Sequence, residues 1–239
     1  MVFINKNAQE LSKEQHDVLT GSLLWDGCLS IRKNCISPRL TIRRQILDLD
    51  YLKYQFNIFQ NLCREKAITF GEYFDKRYNK IYKFCDLESR YIPAFKKYHE
   101  KWYPNGKKHI PSDLKLNNLI IAIWACDDGS FRINENKRLR LVLHTQGFSK
   151  DEVFFLKELL DDRYNTNFKV QFRANKQLVI VGHDHQTRIL LKDIDSKFPD
   201  SMSRKSNIWR DESSCFYTNE PKQFYGYKNK KELKYENCQ

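Results

Sequence analysis

One stretch occurs twice in this chain, and it restricts the fold more than any other feature. "VLTGSLLWDG" closes at Gly27 and "LIIAIWACDDG" closes at Gly129. Each is an apolar run of helical length that ends in an acid and a glycine. Acids at the C-terminal end of a helix meet the negative pole of its dipole, which costs about 0.3–1 kcal/mol each when they are exposed. Two explanations are open: the acids lie beyond the helix in a turn, or something positive waits there. The copies are about 100 residues apart, too far for a solenoid repeat and right for a duplicated domain.

The segments downstream of the two copies are also alike. After Gly27, "CLSIRK" and "RLTIRRQ" alternate apolar and polar residues, the period of half-buried strands. "DLDYLKYQFNIFQNLC" reads as an amphipathic helix, "AITFGEYF" and "KIYKFCDL" as a second hairpin, and "RYIPAFKKYHEKW" as a closing helix. After Gly129, "SFRIN" and "RLRLVLHTQ" form a hairpin. "SKDEVFFLKELLDDRY" opens with a Ser149–Glu152 capping box. "FKVQFR" and "QLVIVG" pair across Ala174-Asn175-Lys176, and "QTRILLKDIDSKF" closes the half. The expected fold is mixed α/β (α+β): two pseudo-symmetric α-β-β-α-β-β-α halves. Residues 1–102 form the first half, 103–113 a linker, 114–218 the second half, and 219–239 a basic polar tail open to disorder.

The 239 residues are enough for a real core, and 41% of them are hydrophobic. A net charge of +12 favours a polyanionic partner, nucleic acid ahead of an acidic membrane surface, although charge alone fits a merely soluble basic protein equally well. No segment reaches the roughly 18 apolar residues of a membrane span, so no membrane partner is expected. Seven scattered cysteines, an odd number with no CxxC pair, disfavour a disulfide framework and favour an intracellular, reducing compartment. "HDH" at 183–185 lacks a nearby third ligand and reads as a polar turn.

Halves related by a pseudo-twofold would set the two acid-tipped helices side by side. Leu19, Ser22, Leu23 and Asp26 share one helical face, as do Ile121, Trp124, Ala125 and Asp128. Gly21, Ser22, Ala122 and Ala125 are small enough for close approach. Ile123, in the place of Gly21, predicts a looser contact there. Asp26 and Asp128 would then meet, and two neighbouring carboxylates need a counter-charge to stay ionised. Hard divalent cations, which take oxygen ligands, supply one.

At "LTGSLLWDG" (19–27) and "IAIWACDDG" (121–129) the sequence resembles the LAGLIDADG homing endonucleases, in particular the single-chain, intron-encoded type with two motifs. The resemblance spans roughly residues 14–210. It implies a saddle of antiparallel sheets that holds DNA, and metal-dependent double-strand cleavage with Mg²⁺ as cofactor and Mn²⁺ able to substitute. It makes Asp26 and Asp128 the metal-binding catalytic acids, with Asp127 a poorer candidate. "KKHIPSDL" and "DSMSRKSNIW" resemble family segments that supply active-site lysines, here Lys108 and Lys205. It also implies an organellar or bacterial setting. A second family role, splicing of the host intron RNA as a maturase, stays open.

Strands that bury Leu and Ile beneath can lay their other face into the major groove, where Arg matches guanine and Gln matches adenine. The candidates are Arg32, Arg39, Thr41, Arg43 and Gln45 in the first half. In the second they are Arg138, Arg140, His144, Gln146, Lys169, Gln171 and Arg173. The two rows differ, with Val142 interrupting the second, so the expected partner is a long non-palindromic duplex read by a monomer.

Overall fold

Each half begins with a capped helix. Ser12 Oγ accepts from Gln15 N–H, and Gln15 Oε1 accepts from Ser12 N–H, both at 3.1 Å; this reciprocal cap opens α1 (Lys13–Leu23). Asn117 Oδ1 accepts from Ile120 N–H at 3.0 Å and opens α4 (Asn118–Asp128). The structure is a computed structural model that describes residues 10–173 and 177–206. The turn at Ala174-Asn175-Lys176 and the tail at 219–239 lie outside the described residues.

Between and after these helices the chain runs through β1 (Gly27–Ser30), β2 (Arg39–Gln45), α2 (Leu49–Phe59), β3 (Cys63–Asp75), β4 (Lys80–Ser89) and α3 (Lys96–Trp102). The second half repeats the order with β5 (Gly129–Ile133), β6 (Leu139–His144), α5 (Lys150–Tyr164), β7 (Lys169–Phe172), β8 (Leu178–Gly182) and α6 (Asp184–Ile194). A single extra turn, α7 (Ser203–Ser206), comes last. Each half makes one antiparallel four-stranded sheet, ordered β1-β2-β4-β3 and β5-β6-β8-β7. The fold is therefore the duplicated α+β arrangement expected from the sequence.

The helices α1 and α4 pack against each other through Gly21. A Cβ at Gly21 would lie 2.7 Å from Ile123 Cβ and 2.8 Å from the Ile120 carbonyl oxygen. The expected loosening at Ile123 is thus wrong: the missing side chain of Gly21 is the space Ile123 fills, and Ile123 is fully buried. Trp124, Tyr51, Phe59, Phe95, Phe131 and Phe168 fill the rest of the core between helices and sheets. Tyr103 and Ile110, in the segment joining the halves, tie it to both. Leu29 N–H donates to Tyr103 Oη at 3.3 Å, and Ile110 N–H donates to Glu152 Oε1 at 2.7 Å.

The registers define equivalent positions. Gly27 pairs with Ile42 and Gly129 with Leu143. Arg39, Thr41, Arg43, Arg44 and Gln45 therefore correspond to Arg140, Val142, His144, Thr145 and Gln146. On the neighbouring strand, Glu88 and Asp86 correspond to Val181 and Val179. The main difference between the sheets is length. The β3–β4 ladder runs out to the Asp75–Lys80 pair, whereas β7 and β8 span four and five residues. The five cysteines among the described residues are free thiols. No helix among those residues is long and apolar enough to cross a membrane.

Candidate active site

The two motif ends are built differently. Helix α1 stops at Leu23, so Asp26 sits on the turn that leads into β1. Helix α4 runs through Asp128, so Asp127 and Asp128 occupy its last turn. Both explanations left open by the sequence apply, one to each copy. At the second end the free carbonyls do meet a positive group. Lys205 Nζ donates to the carbonyls of Ala125 (3.1 Å), Cys126 (2.6 Å) and Gly129 (2.8 Å). Lys108 Nζ does the same at the first end, to Trp25 O (2.7 Å) and Gly27 O (2.6 Å). Each lysine thus sets a positive charge against the carbonyls of its motif end, on the negative side of the helix dipole. Burial lowers the pKa of both lysines.

Among the acids, exposure separates the roles. The Asp26 side chain is 31% exposed and that of Asp127 is 0% exposed. Between them lies Arg44, itself 4% exposed. Its guanidinium donates to Asp26 through Nη1 and to Asp127 Oδ1 through Nη2, the latter at 2.6 Å. Tyr51 Oη also donates to Asp127 Oδ1, at 2.7 Å. Burial alone would lower the pKa of Arg44, but Asp127 and Asp26 more than offset this and raise it. Asp26 titrates at about 6, pushed up by burial against the pull of Arg44. Asp128 is pushed up to about 9, first by burial and then by the nearby Asp26 carboxylate. Its Oδ2 is buried without a hydrogen-bond partner among the described residues. Two carboxylates raised in this way, one with an orphaned oxygen, are a hard-oxygen donor pair short of positive charge, which suits a divalent cation. No cluster of three or more metal-ligating side chains occurs among the described residues. An ion here would draw its other ligands from water and phosphate, as Mg²⁺ commonly does.

Arg44 is absent from the expected site residues. It lies on the inward side of β2 with Leu40 and Ile42, where the alternating pattern calls for an apolar residue. That break in the pattern was the available signal. Its counterpart is the additional acid, Asp127, at a motif position where the first copy has Trp25.

The outward strand faces hold Arg39, Thr41, Arg43, Gln45, Arg140, His144, Lys169 and Gln171. Four other candidates lie off the strands. Arg32 is in the loop after β1, where Asn34 turns the chain at φ 71°. Arg138 precedes β6, its N–H held by Asn134 Oδ1 at 2.8 Å in a turn with Lys137 at φ 55°. Gln146 and Arg173 come after β6 and β7. The first row is also less free than the sequence suggests. Arg39 donates to Glu88 at 2.6 Å, and Arg43 binds Asp86 through two bonds of 2.8 and 2.7 Å while lying over the Phe84 ring. In the second row, Arg140 donates to Gln171 at 2.8 Å. His144 is held by Ser130 Oγ (2.8 Å) and Gln146 Nε2 (3.1 Å). Burial, then Arg173, lowers the His144 pKa to about 4, so its ring is neutral at pH 7. The HDH segment is a helix start: Asp184 Oδ1 accepts from Leu139 N–H and from Arg188.

Comparison with known proteins identifies the family. The model of the LAGLIDADG DNA endonuclease family matches residues 16–190. An uncharacterised protein of Methanocaldococcus jannaschii is 27% identical over 203 residues, 84% of this chain and 76% of that protein. A cytochrome b mRNA maturase of Debaryomyces hansenii is 31% identical over 166 residues, 68% of this chain and 61% of the maturase. "Probable intron-encoded endonuclease 1" of Wickerhamomyces canadensis is 28% identical, with 72% of this chain and 74% of that protein covered. Among solved structures, the homing endonuclease I-WcaI bound to its DNA recognition sequence superposes with a TM-score of 0.75 at 24% identity, covering 83% of this chain and 88% of that one.

Proposed function

This chain belongs to the LAGLIDADG DNA endonuclease family, and we propose that it cuts both strands of a long asymmetric duplex as a monomer, with Asp26 and Asp128 as the metal-binding acids. The observation that carries the assignment is the meeting of Asp26 and Asp128 at the ends of the two motifs, each end backed by one half-buried lysine.

Mg²⁺, or Mn²⁺ in its place, bound there would polarise the scissile phosphate and the attacking water. The chain's own residues prepare that chemistry. Asp26 and Asp128 offer oxygens at the mouth and floor of the site. Lys108 and Lys205 place ammonium groups beside the motif ends, where they oppose the negative charge that grows on the phosphate. Their lowered pKa makes each a readier proton partner for water. The sheets flank this centre with Arg, Gln, Thr and Lys side chains suited to groove edges and phosphates. The rows differ between halves, so the target is non-palindromic and covers about two turns of duplex, roughly 10 bp each.

The test is selection of cleavable sites from a randomised duplex library, with the mass of the protein–DNA complex measured alongside. An asymmetric consensus and one chain per duplex are expected. A palindrome read by two chains would overturn the single-chain reading. Cutting that continues in excess EDTA would overturn the metal reading. The similarity to a maturase supports a second role on intron RNA. Binding of the parent intron RNA, measured against the intron-less DNA junction, tests it separately.

A further inference from the structure

The two carboxylates assigned to the metal do not stand on equal terms. Asp26 already has a cation in contact, the Arg44 guanidinium. Among the described residues Asp128 has none so placed: Lys205, which acts on its charge, is directed at three backbone carbonyls. The position equivalent to Arg44 in the second half is Thr145, whose Oγ donates back to Leu178 O at 2.8 Å.

Arg44 is also firmly seated. Asp127 takes its second arm at 2.6 Å, Gln55 Oε1 lies 3.4 Å from the same nitrogen, and the Tyr51 ring centroid is 4.9 Å from the guanidinium carbon. Gln55 is fixed in turn by donating to Ser22 Oγ on α1 at 3.1 Å. Asp127 is fully buried, so it holds Arg44 in place whether or not Asp26 stays. A guanidinium does not deprotonate in the working pH range.

We propose that Arg44 is a positioning residue for the first-motif carboxylate. It aims Asp26 by holding Oδ2 and sets a fixed positive charge against any divalent ion that Asp26 would bind, so the two strands are cut with unequal divalent-ion requirements. The proposal rests on the cleavage reading above. A divalent ion at Asp26 works against a charge-assisted hydrogen bond that has no counterpart at Asp128 among the described residues. Such bonds shift an equilibrium by about ten-fold or more, which sets the expected gap between the two requirements.

The experiment uses a linear duplex carrying the target, with each strand labelled separately, and a Mg²⁺ titration. In the wild-type protein the half-maximal Mg²⁺ concentrations for the two strands should differ about ten-fold. In the neutral pair Arg44→Gln with Asp127→Asn the two values should converge. A second readout needs no turnover: calorimetric titration of Ca²⁺ into the protein–DNA complex should show two classes of site in the wild type and one in the variant. A single shared Mg²⁺ midpoint in the wild type overturns the proposal without any variant. So does a gap that persists in a double variant with wild-type melting temperature and DNA affinity. If the double variant does not fold, Arg44→Lys takes its place. A single ammonium nitrogen then replaces the two guanidinium nitrogens that reach Asp26 and Asp127, which weakens the hold on Asp26, so the gap should narrow, and an unchanged gap counts against the proposal. If the wild type cuts neither strand with any divalent ion, the cleavage reading itself has failed, and the proposal with it.

Discussion

The first motif releases its acid onto a turn after Leu23, whereas the second keeps Asp127 and Asp128 inside the last turn of α4. The two ends differ in charge as well as in backbone. The second half has Asp127 where the first has Trp25, and the first half has Arg44 where the second has Thr145. These two irregularities meet in one hydrogen bond across the molecule. A duplicated fold thus tolerates an extra buried acid in one copy when the other copy supplies the matching cation. The same division runs along the outer sheet faces. Asp86 and Glu88 hold Arg43 and Arg39 in the first half, and at the equivalent positions the second half has buried Val179 and Val181, packed with Val142.

The largest effects should come from the acids. Asp26→Asn and Asp128→Asn are each expected to reduce double-strand cleavage by at least about 10³-fold while DNA affinity stays within a few-fold, because on the proposed reading each removes an anionic oxygen donor to the metal. Asp127→Asn should act elsewhere. It strips the buried charge facing Arg44, so it should lower the unfolding free energy by about 3 kcal/mol with a smaller loss of cutting. Cleavage kinetics and chemical unfolding on the same preparations separate the two. A dead Asp127→Asn beside an active Asp128→Asn would exchange the roles assigned to the adjacent acids.

The helix contact offers a second break. Ile123→Ala should remove about 2–5 kcal/mol of stability by opening a cavity between α1 and α4. Gly21→Ala should cost about 1–3 kcal/mol for the opposite reason, since the new methyl would press on Ile123 and on the Ile120 carbonyl. Denaturant titration of both variants measures how far the two faces are matched. If Gly21→Ala were neutral, the helices would be further apart than described.

The periodic elements were legible in the sequence because each is written locally: a capping box, an alternating run, an apolar face at helical spacing. The opposed Asp26 and Asp128 came from the repeat. Arg44 did not: it breaks the alternation of β2, but its partners are 18 and 83 residues away, so the break alone does not say what it pairs with. The pairing of Arg39 and Arg43 with β4 acids was hidden likewise, since it needs the β2–β4 register. Arg32 and Arg138 continue the alternating runs in sequence but lie beyond the strands, because left-handed residues at Asn34 and Lys137 turn the chain there.

The unequal acids also predict how the metal-free protein responds to pH. Asp128 keeps a proton up to about pH 9 when folded and releases it near 3.8 when unfolded. Its folded pKa is the higher one, so the folded state holds the extra proton. Stability is greatest below about pH 4 as far as this group is concerned, and is lost as pH rises towards 9. Asp26 adds the same sign only up to about pH 6, and His144, depressed to about 4, acts in the opposite sense below its unfolded value of 6.5. Between pH 7 and 8.5 Asp128 is the main one of these three still titrating, while the raised thiols of Cys63, Cys85 and Cys126 add the same sign towards the upper end and the lowered Lys108 and Lys205 oppose it. With EDTA present, unfolding free energies of the wild type should fall across that window, by up to about 1.4 kcal/mol per pH unit. Asp128→Asn should flatten the profile. An unchanged slope in that variant would locate the extra proton on another group.

The smallest effect tests the outer faces. Arg43 is 59% exposed, yet it gives both arms to Asp86, whose carboxylate lies on the same sheet face. A phosphate approaching that face meets a neutral pair, and Arg43 can turn its paired Nε–Nη2 edge to it only by leaving Asp86. An exposed pair of this kind is worth about 0–1 kcal/mol, so the exchange is cheap but measurable. Asp86→Asn removes the competing charge and the local repulsion of the backbone together. It should tighten DNA binding by about two- to five-fold at low salt, and the plot of log K against log salt should steepen by about one counterion as Arg43 takes a phosphate. In the second half the equivalent neighbour is Val179, so Arg140 and His144 have no acid to leave at that position. The alternative is that Asp86 buttresses Arg43 and aims it at a guanine edge. Asp86→Asn would then weaken binding, and mainly to targets carrying guanine at one position. The sign of the change therefore decides whether the acids of the first sheet mask its arginines or direct them.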